Sequence, residues 1–409
     1  MSINLKYKTM KTISIFLSVL LLYSVVVGFI IDNNDEMKRE VEQKITNYIP
    51  QPGITLIKGK LVWEHDNLLP SPYAYINGTK VTTIGEWEVR RDTLLRMMEE
   101  YIYGLRPNLE IDRVEVTIPD YQDKLVSDNA ISFNAQIYYD NLRSFNIRVT
   151  RPREKGNYPV IMRYESNENF RFPIEEDGIV NRKYIFVALN HLSVSPDNDE
   201  VSKEYMRETK VLMAWAYAAS LTVNYLETLD FVDLTNITIA GMSRTGKAAI
   251  CAGVYDKRFS IVIANNSGAA GASGLRSFGE TKTQAIDIVK HQPTWVSKML
   301  LKYIEDENRL PLDMHFGRAL IAPRVILTTE ASDGGDAIWA GPVSTFKMWE
   351  ASDYAFNLYG EAENNLIHLR EGQHEQLDED YERMMLVVNN VCYDEPLDPS
   401  LFRENVNAK

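Results

Sequence analysis

A strand, a sharp turn and a helix are predicted in succession over residues 237–252, with a serine at the turn. The stretch begins ITIA, a short apolar run rich in β-branched side chains that is typical of a buried strand. Gly241 and Gly246 flank Ser243, and the chain becomes alanine-rich from Lys247, as in a helix. A serine hydroxyl is a weak nucleophile unless it projects towards a base and backbone N–H donors. The stretch therefore predicts a nucleophile elbow. Its pattern G-x-S-x-x-G departs from the usual G-x-S-x-G, and an ordinary strand-to-helix turn is the alternative.

The remaining chain passes from a β-rich opening to alternating strands and helices. Three alternating stretches predict antiparallel strands at Val114–Ile118, Ala130–Tyr138 and Ser144–Thr150. Further strands are predicted at Pro159–Arg163, Tyr184–Leu189, Ile237–Ala240, Phe259–Ala264, Ala322–Thr329 and Asn365–Leu369, and helices at Trp87–Tyr103, Glu204–Asp230, Trp295–Glu307, Val343–Tyr359 and Asp378–Val391. Because the crossovers are long enough for parallel pairing, we predict an α/β fold with a mostly parallel central sheet between helices, in three αβα layers.

The N-terminus has the pattern of an export signal. Three lysines precede an uncharged, mostly apolar run over 13–31, which is typical of a secretory signal peptide. The run is also just long enough to span a bilayer, so an uncleaved anchor is the alternative. We predict a signal peptide or anchor in 1–31, a linker in 32–75 and a catalytic domain in 76–409. The domain is expected to be exported, either periplasmic or secreted, and to be membrane-attached only if the first segment is retained.

Charge and cysteine content exclude several classes of protein. The net charge of −13 is spread along the chain, which argues against nucleic acid or an anionic membrane as a partner. The two cysteines, Cys251 and Cys392, imply no disulfide framework, although a single bridge between them is left open. No Cys/His cluster has the spacing of a zinc site. The charge balance fits a protein that handles neutral or weakly charged ligands, and we predict a monomer without a metal site.

A serine nucleophile needs a histidine base, which follows it in the chain on an α/β-hydrolase sheet. Four of the six histidines follow Ser243, namely His291, His315, His368 and His374. His368 lies within a predicted strand and is expected to be structural. His374 lies in the loop EGQHE between the last strand and the last helix, where the base belongs. We predict His374 as the base, and a solvated loop histidine is the alternative.

The acid that orients the base is expected after the strand that ends near residue 329. The loop there reads EASDGGD over 330–336. Asp333 is closest to the expected strand end, and Asp336 is the alternative. Aspartates in loops are also common as solvated turn formers.

Two cationic residues accompany the serine. Arg244 follows it directly, so its backbone N–H and guanidinium are predicted to stabilise an oxyanion. Lys247 lies one helical turn beyond Ser243. Its side chain either faces the pocket or is a solvated position of the helix.

Several segments together resemble one enzyme family. GMSRTGKAA resembles the G-x-S-R-x-G-K signature of glucuronoyl esterases, carbohydrate esterase family fifteen. The likeness continues through IANNSGAAGASGLR at 263–276, FGET at 278–281, LDMHFGRALIAPR at 312–324, WAGPVSTF at 339–346 and GQHE at 372–375. It extends from about residue 60 to the C-terminus, and the combined pattern is more specific than any single motif.

The resemblance implies cofactor-free hydrolysis of esters that join glucuronic acid branches of xylan to lignin alcohols. Matched positions imply Ser243 as nucleophile, His374 as base and Arg244 at the oxyanion. The uronic sugar would be contacted by Lys247, Glu280 and Trp339.

Two positions depart from the family pattern. Many members carry the triad glutamate where this chain has Asn266, so the acid is expected from the later loop, which favours Asp333. Leu275 replaces an aromatic residue, which leaves recognition of a 4-O-methyl group open. The alternative functions are another exported carbohydrate esterase, for acetyl or feruloyl groups of xylan, and a non-catalytic glycan-binding relative.

Overall fold

The computed structural model describes residues 56–57, 60–61, 69–75, 77–108, 110–118, 129–139, 143–168, 174, 178–179, 181–196, 209–276, 285–331 and 341–402. The predicted signal or anchor in 1–31 lies outside these residues, as does most of the linker in 32–75, so both stay predictions. In the described part of the chain, no helix combines the length and the apolar character needed to cross a bilayer.

The described strands form a short hairpin and one large sheet. The hairpin pairs β1 (Leu56–Ile57) with β2 (Lys60–Leu61). The sheet contains β3 (Ile111–Thr117), β4 (Ala130–Tyr139), β5 (Arg143–Pro152), β6 (Tyr158–Glu165), β7 (Ile185–Asn190), β8 (Val232–Met242), β9 (Phe259–Asn265), β10 (Val325–Ala331) and β11 (Asn365–Arg370). Their order in space is β11-β10-β9-β8-β6-β7-β5-β4-β3.

The antiparallel opening and the parallel remainder of the sheet are as predicted. Strands β3, β4, β5 and β7 pair antiparallel in that order. The other neighbouring pairs, from β7 through β6, β8, β9 and β10 to β11, are parallel. Strands β6 and β10 are buried at every residue. A parallel strand that is covered on both faces requires such a continuous apolar run, and this explains why the central strands could be recognised from sequence.

Eight α-helices lie in the described residues. They are α1 (Ile84–Met98), α2 (His191–Val194), α3 (Val211–Leu226), α4 (Arg244–Tyr255), α5 (Ile288–His291), α6 (His315–Ile321), α7 (Pro342–Tyr359) and α8 (Asp378–Tyr393). Helix α1 begins at a capping box in which Thr83 and Glu86 satisfy each other's backbone N–H groups. It continues as a π-helical turn over Glu99–Tyr103.

Two of the helix predictions are wrong in their extent. The segment predicted over Glu204–Asp230 is helical only over Val211–Leu226 among the described residues. The helix predicted over Trp295–Glu307 is replaced by short 3₁₀ turns at Lys298–Tyr303 and Glu307–Arg309. The side chains of Ser297 and Asp306 each accept a hydrogen bond from the backbone two residues later. Such caps start new turns and so divide the segment.

Helices cover both faces of the sheet. On β9, Ile261 and Ile263 belong to one core cluster with Met384 of α8. The residue between them, Val262, points to the opposite face, where α4 approaches so closely that a Cβ on Gly253 would lie 2.4 Å from Val262 Cγ2. Because successive strand residues point to opposite faces, α8 and α4 must lie on opposite sides of the sheet. The predicted three αβα layers are therefore present.

The described end of the predicted linker packs on the catalytic domain. The hydroxyl of Tyr73 donates to the carbonyl oxygens of Ala351 (3.1 Å) and Ser352 (2.9 Å) in α7. Its ring lies 5.4 Å from that of Trp87, centroid to centroid. Residues 69–75 thus contribute side chains to the core.

The two cysteines are not paired. Cys251 is buried in α4 and Cys392 is half-buried in α8, and both are free thiols. The bridge that the sequence left open is therefore not formed.

Candidate active site

The turn between β8 and α4 holds Ser243 in a strained conformation. Its φ of 56° and ψ of −124° are rarely adopted by residues with a side chain. Close packing requires both flanking glycines. A Cβ on Gly241 would lie 2.3 Å from the carbonyl oxygen of Thr245, and one on Gly246 would lie 2.9 Å from Ser267 Cβ. The turn therefore has the strand–turn–helix geometry of a nucleophile elbow.

Thr245 occupies the position of the usual second glycine and ties the turn together. Its hydroxyl donates to the carbonyl oxygen of Met242 (2.8 Å) and accepts from the backbone N–H of the same residue (3.0 Å). These bonds link the first turn of α4 to the last residue of β8. The departure from G-x-S-x-G is thus compatible with the same elbow.

His374 lies beside the serine. Its Nε2 is 2.9 Å from Ser243 Oγ, within the range required of a general base. The loop that follows β11 carries His374 to this point, which is at the carboxyl ends of the parallel strands. Among the histidines of the described residues, His374 is the one that hydrogen-bonds to Ser243.

The other described histidines have structural partners. His315 contacts the carbonyl oxygen of Pro70 at 2.8 Å, and burial lowers its pKa to about 4. His368 lies 3.1 Å from a carboxylate oxygen of Glu379. His291 is exposed and contacts the carbonyl oxygen of its own helix at Asp287. The prediction that His368 is structural agrees with this contact.

An open cavity of about 650 Å³ surrounds Ser243. Its wall includes Ser243, Arg244, Lys247 and His374, together with Glu165, His191 and Trp295. The cavity lies where β6 and β8 end, which is the usual position of a ligand site on a parallel sheet. The structure therefore brings together four of the residues singled out from sequence.

Lys247 is buried in this wall, although its charge is hard to bury. The residue is 1% exposed, and its Nζ donates to the carbonyl oxygen of Ser267. The same Nζ lies 6.0 Å from the centroid of the Trp295 ring. Burial lowers the pKa of Lys247 from its usual 10.5 to about 7, against the opposing effect of Glu330. The pocket-facing alternative for Lys247 is the one found.

This pKa shift predicts how stability varies with pH. Below about pH 7 the folded and unfolded chains both hold the proton, and the cost of burying the charge is fully present. Between pH 7 and 10 the folded chain releases a proton that the unfolded chain keeps, so the free energy of unfolding should rise with pH. Lys247→Met should remove this rise. The measurement is urea unfolding of both proteins from pH 6 to 10.

The control is Lys257→Met, since Lys257 has a side chain that is 67% exposed. Its pH dependence should follow that of the wild-type protein. If the free energy of unfolding varied with pH in the same way for the wild type and Lys247→Met, the shifted pKa of Lys247 would be contradicted.

Asn266, at the position that many family members fill with an acid, is completely buried at the end of β9. Its Nδ2 donates to the carbonyl oxygen of Glu375 (2.7 Å), and its Oδ1 accepts from the N–H of Ala331 (2.9 Å). An amide held in this way offers His374 no negative charge. The predicted acids Asp333 and Asp336 lie outside the described residues, as do Glu280 and Trp339.

Sequence reasoning missed several residues of the cavity wall. Glu165 is buried beside Arg163, whose Nε lies 2.8 Å from a carboxylate oxygen of Glu165. Burial raises the pKa of Glu165 to about 7, against the opposing effects of Arg163 and Arg148. The Nδ1–H of His191 donates to the carbonyl oxygen of Glu165 (2.6 Å), and burial lowers the pKa of His191 to about 4. One signal was available, because Glu165 lies two residues beyond the predicted strand Pro159–Arg163, at the end where ligands bind.

Comparison with known proteins places the chain in a family. The family described as "Glucuronyl esterase, fungi" matches residues 137–360, more than half of the sequence. The chain belongs to the glucuronoyl esterase family. As a glucuronoyl esterase it is a carboxylic ester hydrolase, as the resemblance implied. The 4-O-methyl-glucuronoyl methylesterase of Phanerochaete carnosa is 25% identical to it over 324 residues, which cover 74% of each chain.

Solved glucuronoyl esterase structures share the fold. The family fifteen enzyme from Caldicellulosiruptor kristjansonii gives a TM-score of 0.68 at 24% identity, over 82% of this chain and 93% of that one. A glucuronoyl esterase mutant from Sporotrichum thermophile was solved in complex with methyl 4-O-methyl-β-D-glucopyranuronate. It gives a TM-score of 0.66 at 22% identity, over 83% of this chain and 92% of that one. The predicted α/β-hydrolase fold is confirmed.

Proposed function

We propose that the protein hydrolyses esters of the glucuronic acid side chains of xylan and so cleaves lignin–carbohydrate ester bonds. The observation that carries this proposal is Ser243, strained at an elbow and 2.9 Å from His374 Nε2, in a cavity that also presents Arg244 and Lys247. A related structure was solved with a methyl ester of a glucuronic acid, which supports the substrate class.

Acylation begins when His374 Nε2 accepts the proton of Ser243 Oγ as the oxygen attacks the uronoyl carbonyl carbon. The carbonyl oxygen becomes an oxyanion. We assign its stabilisation to the backbone N–H and the guanidinium of Arg244, which directly follows the nucleophile. When the intermediate collapses, His374 gives its proton to the leaving alcohol. The glucuronoyl group is then held as an ester of Ser243.

Deacylation repeats the same steps with water as the nucleophile. His374 accepts a proton from the water as it attacks the acyl-enzyme. The second oxyanion occupies the place of the first. Its collapse breaks the ester to Ser243 and leaves a free carboxyl group on the glucuronic acid of the xylan branch. His374 returns its proton to Ser243 Oγ.

The acid that orients His374 is proposed to be Asp333, with Asp336 as the alternative. Strand β10 ends at Ala331, so Asp333 follows that end by two residues. A carboxylate stabilises the imidazolium that forms in each step, whereas the buried amide of Asn266 cannot supply charge. This is the reason to place the acid in the later loop.

We propose that Lys247, Glu280 and Trp339 contact the uronic sugar. For Lys247 the support is its buried position in the cavity wall, four residues from the nucleophile. Below about pH 7 Lys247 keeps its proton, and its ammonium can then donate to sugar hydroxyls. We further propose that the protein acts as an exported monomer, and the signal-like pattern of segment 1–31 supports the export.

The decisive experiment compares substrates with and without a uronic acid. We expect hydrolysis of benzyl D-glucuronate, and we expect Lys247→Met to lower kcat/KM on it by about 10- to 100-fold, as for lost charge-assisted hydrogen bonds. Hydrolysis of 4-nitrophenyl acetate should be unaffected by this change, and Lys257→Met should affect neither substrate.

Three outcomes would count against the proposal. Faster release of acetate or ferulate from xylan than of alcohol from the glucuronate ester would favour another carbohydrate esterase. Glycan binding without alcohol release, and without labelling of Ser243 by a phosphonate, would favour a non-catalytic relative. An equal loss on both substrates with Lys247→Met would remove Lys247 from sugar recognition.

A further inference from the structure

The loop that carries His374, residues 371–375, is tied to the rest of the domain at the carbonyl oxygen of Glu375. This oxygen accepts two hydrogen bonds, from Asn266 Nδ2 at 2.7 Å and from Arg370 Nη2 at 2.5 Å. Glu375 directly follows His374, so the peptide group that bears the two bonds begins one residue beyond the base. The orientation of this peptide constrains the backbone of His374.

Arg370, one of the two donors, is itself fixed by a buried ion pair. Its Nε lies 3.0 Å from both carboxylate oxygens of Asp380, and both residues are nearly inaccessible to solvent. Its Nη1 also donates to the carbonyl oxygen of Glu371 at 3.0 Å. One guanidinium therefore holds both ends of the loop, and α8 holds the guanidinium.

Asn266, the other donor, connects the loop to β9, which it follows, and to β10. Its backbone N–H donates to the carbonyl oxygen of Thr329 at 2.7 Å, and its Oδ1 accepts from the N–H of Ala331 at 2.9 Å. Its φ of 43° lies in the left-handed region, which asparagine tolerates better than most residues. The amide thus has one orientation, with its donor directed at Glu375.

We propose that Asn266 is a positioning residue that acts through the Glu375 carbonyl to hold His374 at Ser243. This inference rests on the proposed roles of Ser243 and His374. The loop needs such a restraint, because a misplacement of about 1 Å in a catalytic group can cost about 10²-fold in rate. Gly372 has a φ of 113° in this loop, a conformation open to a residue without a side chain. Asn266 keeps a role in catalysis without supplying charge.

Two substitutions remove the donor, together with its second bond to Asn265 Oδ1 (3.1 Å). Asn266→Gly removes the amide but suits the positive φ, since glycine adopts that region without strain. Asn266→Leu keeps the approximate size of the side chain and adds no carboxylate at the position of the family's triad acid. Both variants should lower kcat on benzyl D-glucuronate by about 10- to 100-fold, with KM close to the wild-type value. The rate at which a fluorophosphonate labels Ser243 should fall by a similar factor.

The matched control is Asn365→Leu, at the opposite end of β11 from the loop. Asn365 is equally buried, and its amide accepts one bond, from Arg318 Nε (2.7 Å), and donates two, to the carbonyl oxygen of Trp349 (3.2 Å) and to Asp353 Oδ1 (3.3 Å). We expect this variant to lower the urea midpoint of unfolding but to leave kcat and the labelling rate unchanged. The comparison separates positioning of His374 from general stabilisation.

Wild-type kcat and labelling rate in either Asn266 variant would overturn the inference. An equal fall in kcat with Asn365→Leu would also overturn it, because the loss would then follow stability. If the wild-type protein fails to hydrolyse the glucuronate ester, the proposed function fails. The labelling rates of Ser243 would still decide whether Asn266 positions His374.

Discussion

Ser243→Ala should lower kcat on a glucuronate ester by about 10⁶-fold, with KM close to the wild-type value. The change removes the attacking oxygen but leaves the cavity wall and the sugar contacts in place. His374→Ala should cost about as much, because Ser243 Oγ then has no acceptor for its proton at 2.9 Å. The measurement is steady-state hydrolysis of benzyl D-glucuronate by purified protein.

The double variant provides a sharper check than either single change. Members of a triad act as a unit, so the losses should not multiply, and the double variant should be about as slow as each single variant. Ser260→Ala is the control, since Ser260 lies on β9 and its hydroxyl donates to the carbonyl oxygen of Ile237. Wild-type turnover by Ser243→Ala would refute the assigned nucleophile.

Asp333→Asn should lower kcat by about 10⁴-fold, the loss typical of replacing a triad carboxylate by an amide. The amide has nearly the same shape but no charge to stabilise the imidazolium of His374. Asp336→Asn, three residues further along the same loop, is the matched control and should have a small effect. Rates on benzyl D-glucuronate, measured for all variants at the same pH, provide the comparison.

The reverse pattern, with a large loss at Asp336 and a small one at Asp333, would move the acid within the loop. Small losses at both positions would show that the charge beside His374 comes from another part of the chain. Neither result would alter the assignment of Ser243 as nucleophile.

Prediction from sequence was most successful where local chemistry decides the structure. The central strands were recognised because burial on both faces demands an uninterrupted apolar run, as in β6 and β10. It was least successful at Trp295–Glu307, where the apolar spacing is compatible with a helix. There, the side chains of Ser297 and Asp306 bind the backbone and divide the segment into turns. A pattern of apolar residues contains no information about such competition.

The sequence by itself determined the turn at Ser243 and the order in which the proposed nucleophile and base follow each other along the chain. Gly241, Ser243 and Gly246 act within one turn, and steric contact over a few residues depends little on the rest of the fold. His374 was placed by its loop between the last strand and the last helix. These features are local, so they could be identified before any contact between distant segments was known.

Only the tertiary structure decided how that chemistry is supported. Lys247 looked equally suited to solvent or pocket, and its burial against Trp295, with a pKa near 7, depends on how α4 packs. Asn266 stood out as a missing acid, and its bonds to Glu375 and Ala331 became visible only when β9 and β10 were placed beside the histidine loop. Desolvation and hydrogen bonding between residues far apart in the chain depend on strand order and helix packing, which no single stretch of sequence encodes.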